Sequence, residues 1–294
     1  MIHLSKRLRT LCQMVTADSR LCDVGCDHAL VPLALLEEGR IPSALAMDVA
    51  RGPLLAAAAN VEAHGYERQV QTRLSDGLGA YEIGEADTLV IAGMGGPLIR
   101  EILEREPQKA QSFRELVLEP QSEVHEVRSA LRGMGIGIVS EKMVEEDGKF
   151  YPVIRAVPGE KGVRPDWAAA FGGENPPEEA QRLRAEDAFG PALLRDADPV
   201  LLCWLRWRAQ VNESVRRQLE QAMNQPAFDA ASEKPAANAQ EEPEGQTEQN
   251  SDTGDTARLQ RQRQETRLAR LAARLQEVER EASDLQNALR FFAP

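Results

Sequence analysis

The chain has 294 residues, enough for about two domains of ordinary size. Apolar residues make up 42% of it and charged residues 28%, the usual balance of a globular protein. Taken as a whole, the formal net charge of -12 argues against a nucleic-acid-binding protein. The acids are concentrated in residues 225–256, however, whereas residues 1–20 and 257–294 are each net basic. Basic helices near both ends are therefore still candidates for contact with a polyanion.

The sequence carries no pattern typical of membrane or secreted proteins. It lacks an apolar run of about 18 residues, so we expect no membrane span. Residues 1–10 lack the apolar segment of a secretory signal, and the cysteines form no C-x-x-C pair. We therefore expect a cytoplasmic protein whose cysteines stay reduced.

Strand-like apolar runs alternate with helical patterns through the first half of the chain. An amphipathic helix at 4–16 comes first, and a hairpin of two strands at 136–144 and 150–157 comes last. Between them the pattern predicts strands at 20–24, 44–49, 70–74, 88–92 and 116–119, and helices at 29–38, 53–64, 97–104 and 122–134. This alternation is typical of an α/β protein with a doubly wound, Rossmann-like parallel sheet, here with an antiparallel edge. Ligands of such sheets bind beyond the carboxyl ends of the strands, near the topological switch point.

Three regions follow from the change in composition along the chain. Residues 1–160 hold all the predicted strands and form the α/β domain. Residues 161–187 are rich in Gly and Pro and predict an irregular connector. Residues 188–294 contain only helical and polar patterns, which predict a separate helical domain.

The helical domain is expected to be a coiled-coil hairpin. A helical pattern covers 198–224, and apolar residues spaced alternately by three and four run from Leu268 to Leu289, the seam of a coiled coil. The stretch 225–256 between them is acidic and has no aliphatic residue larger than alanine. Such a composition predicts a disordered linker.

The loop after the first strand reads D-V-G-C-D-H, from Asp23 to His28. Gly25 lets the backbone approach a ligand closely. A dinucleotide-binding loop would have glycine where Asp27 and Leu30 stand, and Asp27 would repel a pyrophosphate. A ligand with a cationic end, such as S-adenosylmethionine, suits Asp23 and Asp27 better. Alternatively, the two carboxylates only cap the following helix.

The next three strand ends carry further candidate ligand groups. Asp48 follows the second strand, where a carboxylate can accept both hydroxyls of a ribose. Asp76 and Gly77 follow the third, where the carboxylate can accept from an adenine amino group or form an ordinary turn. The fourth strand ends in A-G-M-G-G at 92–96, which is either a flat surface for a ring or a tight turn into a helix.

Eight segments together resemble the bacterial tRNA (adenine(22)-N1)-methyltransferases, the TrmK family of class I S-adenosylmethionine-dependent enzymes. They are LSKRL at 4–8, DVGCDHALVPLALLEEG at 23–39, AMDV at 46–49, SDGLGAY at 75–81, DTLVIAGMGG at 87–96, LEPQ at 118–121, EDGKFYPVI at 146–154 and FGPALL at 189–194. Two positions depart from the family pattern: Cys26 stands where the family usually has a small hydroxyl residue, and Asp48 where it often has Glu.

The resemblance implies methyl transfer from S-adenosyl-L-methionine to N1 of adenine 22 in tRNA, with no metal required. Catalysis by proximity and alignment is then expected, on a base that is unpaired or extruded. Asp27 is the candidate for stabilising the cationic product, and His28 for contacting the base. The expected cofactor contacts are Asp23, Gly25, Cys26, Asp48, Val49, Asp76, Gly77, Gly93 and Met94. The expected substrate contacts are Lys6, Arg7, Arg9, Gly95, Gly96, Lys149 and Tyr151.

Two other functions and the assembly state stay open at this point. The chain could be a coiled-coil adaptor that binds S-adenosylmethionine without catalysis, or a methyltransferase acting on a small molecule. The basic residues of the last helix are either phosphate contacts or the solvated face of a coiled coil. We expect a monomer or a weak dimer, with tRNA as the partner.

Overall fold

The computed structural model describes residues 2–224 and 252–293. Within them it forms two compact units. One unit comprises the chain up to Arg206 together with the residues from Gln286 onward. The other comprises the described residues between Trp207 and Leu285.

A seven-stranded sheet forms the centre of the first unit. Its strands are β1 (Leu21–Val24), β2 (Ala44–Asp48), β3 (Val70–Leu74), β4 (Thr88–Met94), β5 (Glu115–Pro120), β6 (Ile136–Glu146) and β7 (Lys149–Pro158). Their order is β3-β2-β1-β4-β5-β7-β6. The first five strands are parallel, and β7 pairs antiparallel with both β5 and β6. The chain reverses direction across the sheet between β1 and β4, which is where a ligand is expected in this topology.

The helices connect the strands and continue beyond them. They are α1 (Lys6–Met14), α2 (Leu30–Glu37), α3 (Arg51–Ala63), α4 (Gly96–Arg105), α5 (Pro107–Ser112), α6 (Val124–Gly133), α7 (Trp167–Ala170), α8 (Glu179–Phe189), α9 (Pro191–Arg195), α10 (Pro199–Asn224) and α11 (Asp252–Leu289). A single 3-10 turn, Arg290–Phe292, follows α11.

Two apolar layers bury both faces of the sheet. Successive strand residues point to opposite faces, so Leu89 and Ile91 join one layer while Val90 joins the other. The first layer includes side chains of α4 and α6, and the second includes side chains of α1, α2 and α3. Because both faces are covered, the central strands need continuous apolar runs rather than alternation, and this is how they read in the sequence.

The architecture confirms the predicted doubly wound sheet with an antiparallel edge. The structure differs from the sequence interpretation in two places. The stretch 161–187, expected to be irregular, contains α7 and most of α8. The unit that holds the sheet also continues to Arg206, whereas the sequence ended the α/β domain at residue 160 and assigned 161–187 to a connector.

The second unit is built from α10 and α11. The Nδ2 atom of Asn212 donates to the Val278 carbonyl at 3.1 Å, and a guanidinium nitrogen of Arg267 donates to the Ala222 carbonyl at 3.5 Å. Since a later residue of α10 meets an earlier residue of α11, the helices run antiparallel. Val278 is buried, whereas Leu268 is exposed. The buried part of the predicted seam therefore does not reach its first residue, Leu268.

The acidic linker predicted at 225–256 lies largely outside the described residues. Its last residues, 252–256, belong to α11, which begins at Asp252. The described residues contain no helix long and apolar enough to cross a membrane.

Candidate functional site

A cleft of about 420 Å³ opens at the carboxyl ends of β1, β2 and β4. It lies at the predicted switch point of the sheet. Many of the residues singled out from the sequence line it. They are Arg7, Asp23, Gly25, Cys26, Asp27, His28, Asp48, Gly93 and Met94.

The loop between β1 and α2 is held in a backbone conformation that suits close approach. Three residues within five have positive φ: Gly25 at 75°, Asp27 at 48° and Ala29 at 55°. The amide of Gly25 donates to the Met47 carbonyl at 2.8 Å, which fixes the loop to β2. A Cβ atom at Gly25 would lie 2.1 Å from the terminal methyl of Met94. The φ favours glycine here, and the nearest atom in front of it is the flexible end of a side chain.

Two carboxylates lie near the carboxyl ends of the neighbouring strands β1 and β2. Asp23 and Asp48 are both buried. Burial, and secondly the charge of Asp48, raises the pKa of Asp23 to about 7. Asp48 accepts from the amide of Ala50 at 2.8 Å and from the amide of Asp27 at 3.4 Å, so it ties the first two loops together. The pair forms an acidic floor suited to a cationic ligand.

Cys26 lies in the same loop and is buried. Burial, reinforced by the charges of Asp23 and Asp48, raises the pKa of its thiol well above the usual range. A neutral thiol is a poor nucleophile, so Cys26 acts as a small packing residue at the cleft.

Asp27 and His28 lie at the rim of the cleft. Their side chains are 69% and 52% exposed, and His28 Nε2 lies 3.5 Å from Asp27 Oδ1. The Asn60 side chain donates to the His28 carbonyl at 3.0 Å, which braces the loop from α3. The arrangement presents an accessible carboxylate and an accessible imidazole to whatever enters the cleft.

The loop between β4 and α4 packs tightly against the loop that follows β5. The amide of Gln121 donates to the Met94 carbonyl at 2.8 Å, and the amide of Gly96 donates to the Ser122 carbonyl at 2.9 Å. A Cβ atom at Gly96 would lie 2.4 Å from the carbonyl oxygen of Glu123. Gly96 thus allows two backbones to meet. Gly95 and Gly96, predicted as substrate contacts, are not part of the cleft lining.

Three other predicted cofactor contacts also lie outside the lining. Asp76 forms an ion pair with Arg105 at 2.7 Å, and its side chain is 71% exposed. Gly77 has a φ of 55°, and a Cβ atom there would lie 3.1 Å from Ile102. Val49 is exposed just beyond the end of β2. The charge of Asp76 is thus partnered by α4 instead of facing the cleft.

The predicted phosphate contacts of α1 have different surroundings. Arg7 points into the protein, where its guanidinium lies 2.8 Å from Glu119, 3.6 Å from Glu146 and 5.5 Å from the centre of the Tyr151 ring. The Lys6 ammonium donates to the backbone carbonyl of residue 145 at 3.1 Å. Arg9 and Lys149 are exposed. Two of the predicted substrate contacts, Arg9 of α1 and Lys149 at the start of β7, are thus accessible to solvent, whereas Arg7 lines the cleft.

The sequence interpretation missed two residues of the L-E-P-Q segment. Gln121 lines the cleft. The Glu119 carboxylate accepts hydrogen bonds from two other residues of the lining, from the guanidinium of Arg7 and from the amide of Gly93. The available signal was an acidic residue at the end of an otherwise apolar strand, Leu116–Leu118. Strand ends often carry polar residues, so the signal was weak without the pairing of β4 with β5.

A second cavity, of about 250 Å³, lies beside α6 and α8 and is lined by three arginines. Arg128 is paired with Glu141, Arg132 with Asp187, and Arg164 with Glu186. Its positive charges are therefore neutralised within the protein. Among the described residues, no group of three or more His, Cys, Asp or Glu side chains is arranged to hold a metal ion.

Comparison with known proteins relates this geometry to an enzyme family. A family profile described as a methyltransferase domain matches residues 4–154. The tRNA (adenine(22)-N(1))-methyltransferase of Bacillus subtilis (strain 168) is 32% identical over 221 residues, which cover 75% of this chain and 87% of that protein.

Solved structures give the same relationship. The structure of the B. subtilis M1A22 tRNA methyltransferase TrmK matches with a TM-score of 0.66 and 27% identity, over 96% of this chain and 100% of that one. The Streptococcus pneumoniae protein Sp1610 in complex with S-adenosyl-L-methionine matches with a TM-score of 0.62 and 34% identity, over 72% of this chain and 91% of that one.

Proposed function

The chain belongs to the tRNA (adenine(22)-N1)-methyltransferase family, and from this premise we propose that it transfers a methyl group from S-adenosyl-L-methionine to N1 of adenine 22 in tRNA. The observation that carries the proposal is the cleft at the switch point, with its glycine loop and its paired carboxylates Asp23 and Asp48. The cytoplasm, where tRNA is modified, is the proposed place of action, and the monomer or weak dimer is the proposed assembly.

The cleft fits the cofactor in shape and in charge. Gly25 leaves its face of the loop open except for the flexible end of Met94, so a ligand can displace that methyl group. Asp23 and Asp48 attract an ammonium group and accept from hydroxyls. When bound, S-adenosyl-L-methionine supplies a methyl group made electrophilic by the attached sulfonium.

The adenine N1 lone pair needs no activating base in this reaction. N1 forms a bond to the methyl carbon, the carbon–sulfur bond breaks, and its electron pair stays on the departing thioether. The protein's task is to hold the base in line with that bond. N1 lies on the pairing edge, so the base must leave its stack to reach the cleft.

The adenine acquires a positive charge as the bond forms. We assign Asp27, whose carboxylate lies at the rim of the cleft, to the stabilisation of that charge. His28 lies beside it and can donate to or accept from the base. Both residues come from the loop that also contacts the cofactor, which brings the two reactants together.

A surface wider than the cleft must hold the rest of the tRNA. Arg9 and Lys149 are exposed basic side chains of the first unit, and Arg263 and Arg270 are exposed on α11 of the second. We assign them to phosphate contacts, which position the RNA without reading its sequence.

The test is a methylation assay with the full-length protein, labelled S-adenosyl-L-methionine and unmodified tRNA, followed by nucleoside analysis by mass spectrometry. The expected product is 1-methyladenosine, at up to one methyl group per tRNA. Cofactor binding without incorporation into tRNA would favour the adaptor, and labelling of a small molecule instead of tRNA would favour the other alternative.

A further inference from the structure

The strand β4 contains a bulge beside the cleft. Ala92 pairs with Glu119 and Met94 pairs with Pro120, so Gly93 is an extra residue with no partner in the ladder. Its φ of 77° is in the left-handed region. The bulge takes the amide of Gly93 out of the strand ladder, so this amide has to find another acceptor. Bulges at such places commonly re-aim the side chains that follow them.

Glu119 supplies that acceptor. Its Oε2 atom lies 2.9 Å from the amide nitrogen of Gly93 and 2.8 Å from a guanidinium nitrogen of Arg7. The side chain is fully buried, and within the described part of the chain its Oε1 atom has no hydrogen-bond partner. Burial raises the pKa of Glu119, and the charge of Arg7 opposes that effect. One oxygen thus serves both donors.

Arg7 brings the N-terminal helix into this arrangement. Its side chain is only 22% exposed, and its guanidinium also contacts Glu146 and the ring of Tyr151. A buried carboxylate without a counterion is costly, so the position of α1 and the position of the loop after β4 depend on each other.

The conformation of Gly93 determines where Met94 lies. The terminal methyl of Met94 packs against Gly25, across the cleft between the loops after β1 and β4. A shift of about 1 Å in a loop that aligns reactants can slow a reaction on the order of 100-fold. We propose that Glu119 is a positioning residue of the methyl-transfer site, acting through the amide of Gly93, with Arg7 as its counterion. This inference rests on the proposed function.

Two properties of Glu119 can be varied separately: the length of its side chain, which brings an oxygen to the amide of Gly93, and its negative charge. Glu119→Gln keeps an oxygen at the same distance from the backbone, and that single oxygen can accept from both Gly93 and Arg7. Glu119→Asp keeps the charge but withdraws the carboxylate by one methylene group, beyond hydrogen-bonding distance of Gly93. Because the role is to accept a hydrogen bond from Gly93, the glutamine variant should work and the aspartate variant should not.

The control is Glu115, a buried carboxylate at the other end of the same strand, paired with Arg155 at 2.6 Å. The full-length wild type, Glu119→Gln, Glu119→Asp and Glu115→Asp are compared by single-turnover methylation at saturating cofactor and tRNA, per folded molecule. Cofactor affinity is measured by calorimetry. We expect Glu119→Asp to be slowed on the order of 10- to 100-fold. Glu119→Gln and Glu115→Asp should stay within about fivefold of wild type, and their cofactor affinities should match that of the wild type.

A second readout does not depend on activity. The amide proton of Gly93, observed by NMR, should exchange slowly with solvent in the wild type and in Glu119→Gln, and faster in Glu119→Asp. If the wild type does not methylate tRNA, the proposed function fails, while this readout still decides whether Glu119 holds Gly93. A slow glutamine variant, an aspartate variant at the wild-type rate, or unchanged exchange at Gly93 would overturn the inference.

Discussion

At the scale of a single residue, the ionisation of Asp23 makes the stability of the fold depend on pH. Its pKa is raised from 3.8 to about 7 in the folded chain, chiefly by burial. The folded state therefore binds the proton more tightly than the unfolded state. The contribution of Asp23 to stability is greatest below pH 4 and is lost as the pH rises to about 7.

Asp23→Asn should remove this dependence. The difference in the free energy of unfolding between variant and wild type should favour the variant more at pH 8 than at pH 4. Urea unfolding at both pH values measures this difference. Asp87 provides a control of opposite sign, because its hydrogen bond to Arg20 lowers its pKa to about 2. Asp87→Asn should cost stability at pH 8 and recover as the pH falls below 4. Parallel pH profiles for the two variants would contradict the account.

Asp48 should contribute to cofactor affinity through its carboxylate. A hydrogen bond to a charged group contributes about 1.5–3 kcal/mol, so Asp48→Ala should weaken S-adenosyl-L-methionine binding roughly tenfold or more. Calorimetry measures the change. Asp18→Asn, a change at an exposed turn with a φ of 59°, is the control and should bind normally. Equal affinity of Asp48→Ala and wild type would remove Asp48 from the cofactor site.

The sequence was informative for residues whose role is local. Asp23 lies near the end of β1, and Gly25 and Asp27 lie in the loop that follows it, so their positions relative to the predicted strand placed them at the cleft. Glu119 acquires its role from a bulge in another strand and from Arg7, which is 112 positions away in the chain. No local pattern encodes such a contact, so it could not be predicted.

At the scale of elements, Gly96 lets α4 begin beside the loop after β5. In Gly96→Ala the new methyl group would meet backbone atoms of Ser122 and Glu123, which cannot move as a side-chain end can. We expect a loss of stability of about 1–3 kcal/mol. Gly133→Ala is the control: it lies in α6 with open space around it and should gain about 0.5–1 kcal/mol. Thermal unfolding of both variants tests the contrast, and a stable Gly96→Ala would argue against the packing role.

A buried ion pair joins α6, β6 and the F-G-P-A-L-L segment. Arg128 and Glu141 are 2.8 Å apart and almost wholly buried, and Glu141 also accepts from the amide of Ala192 at 2.9 Å. Arg128→Met would leave Glu141 buried and unpaired, at a cost of about 3–5 kcal/mol. The double variant Arg128→Met/Glu141→Met should be less destabilised than Arg128→Met alone. Urea unfolding of both would test this, and a double variant that is the less stable of the two would contradict it.

Elements with strong periodicity were predictable, and α8 was not. Its sequence, Glu179–Phe189, has no continuous apolar stripe. Alongside the buried Ala185 and Phe189, Glu186 attaches the helix by accepting from Arg164 and from the indole nitrogen of Trp167 at 2.9 Å. Tertiary contacts of this kind override composition, which here suggested an irregular connector.

At the scale of the whole molecule, the boundary of the cleft-bearing unit decides what can be removed. Leu193, Leu201 and Leu205 are fully buried, and the unit that contains them ends at Arg206. Composition assigned everything from residue 188 onward to the helical domain, because α9 and the start of α10 resemble the rest of the helical region. Burial, which the sequence does not display, assigns them to the first unit.

Replacing residues 207–285 by a flexible Gly/Ser linker should separate the two binding activities. The remaining unit keeps every residue of the cleft, so its affinity for S-adenosyl-L-methionine should stay within a few-fold of the full chain. Its affinity for tRNA should fall, with a shallower salt dependence because fewer phosphate contacts remain. Both affinities are measured at two salt concentrations. An unchanged salt slope would place the RNA surface on the first unit alone.

The central claim, methylation of adenine 22 at N1, is tested most directly by mapping the modified position. Methylation at N1 blocks base pairing, so reverse transcriptase stops at the modified base. After treatment with the full-length protein and S-adenosyl-L-methionine, unmodified tRNA should give a stop at position 22, and the same tRNA with guanine at that position should give none. Absence of the stop at position 22, or a stop at another adenine, would contradict the account.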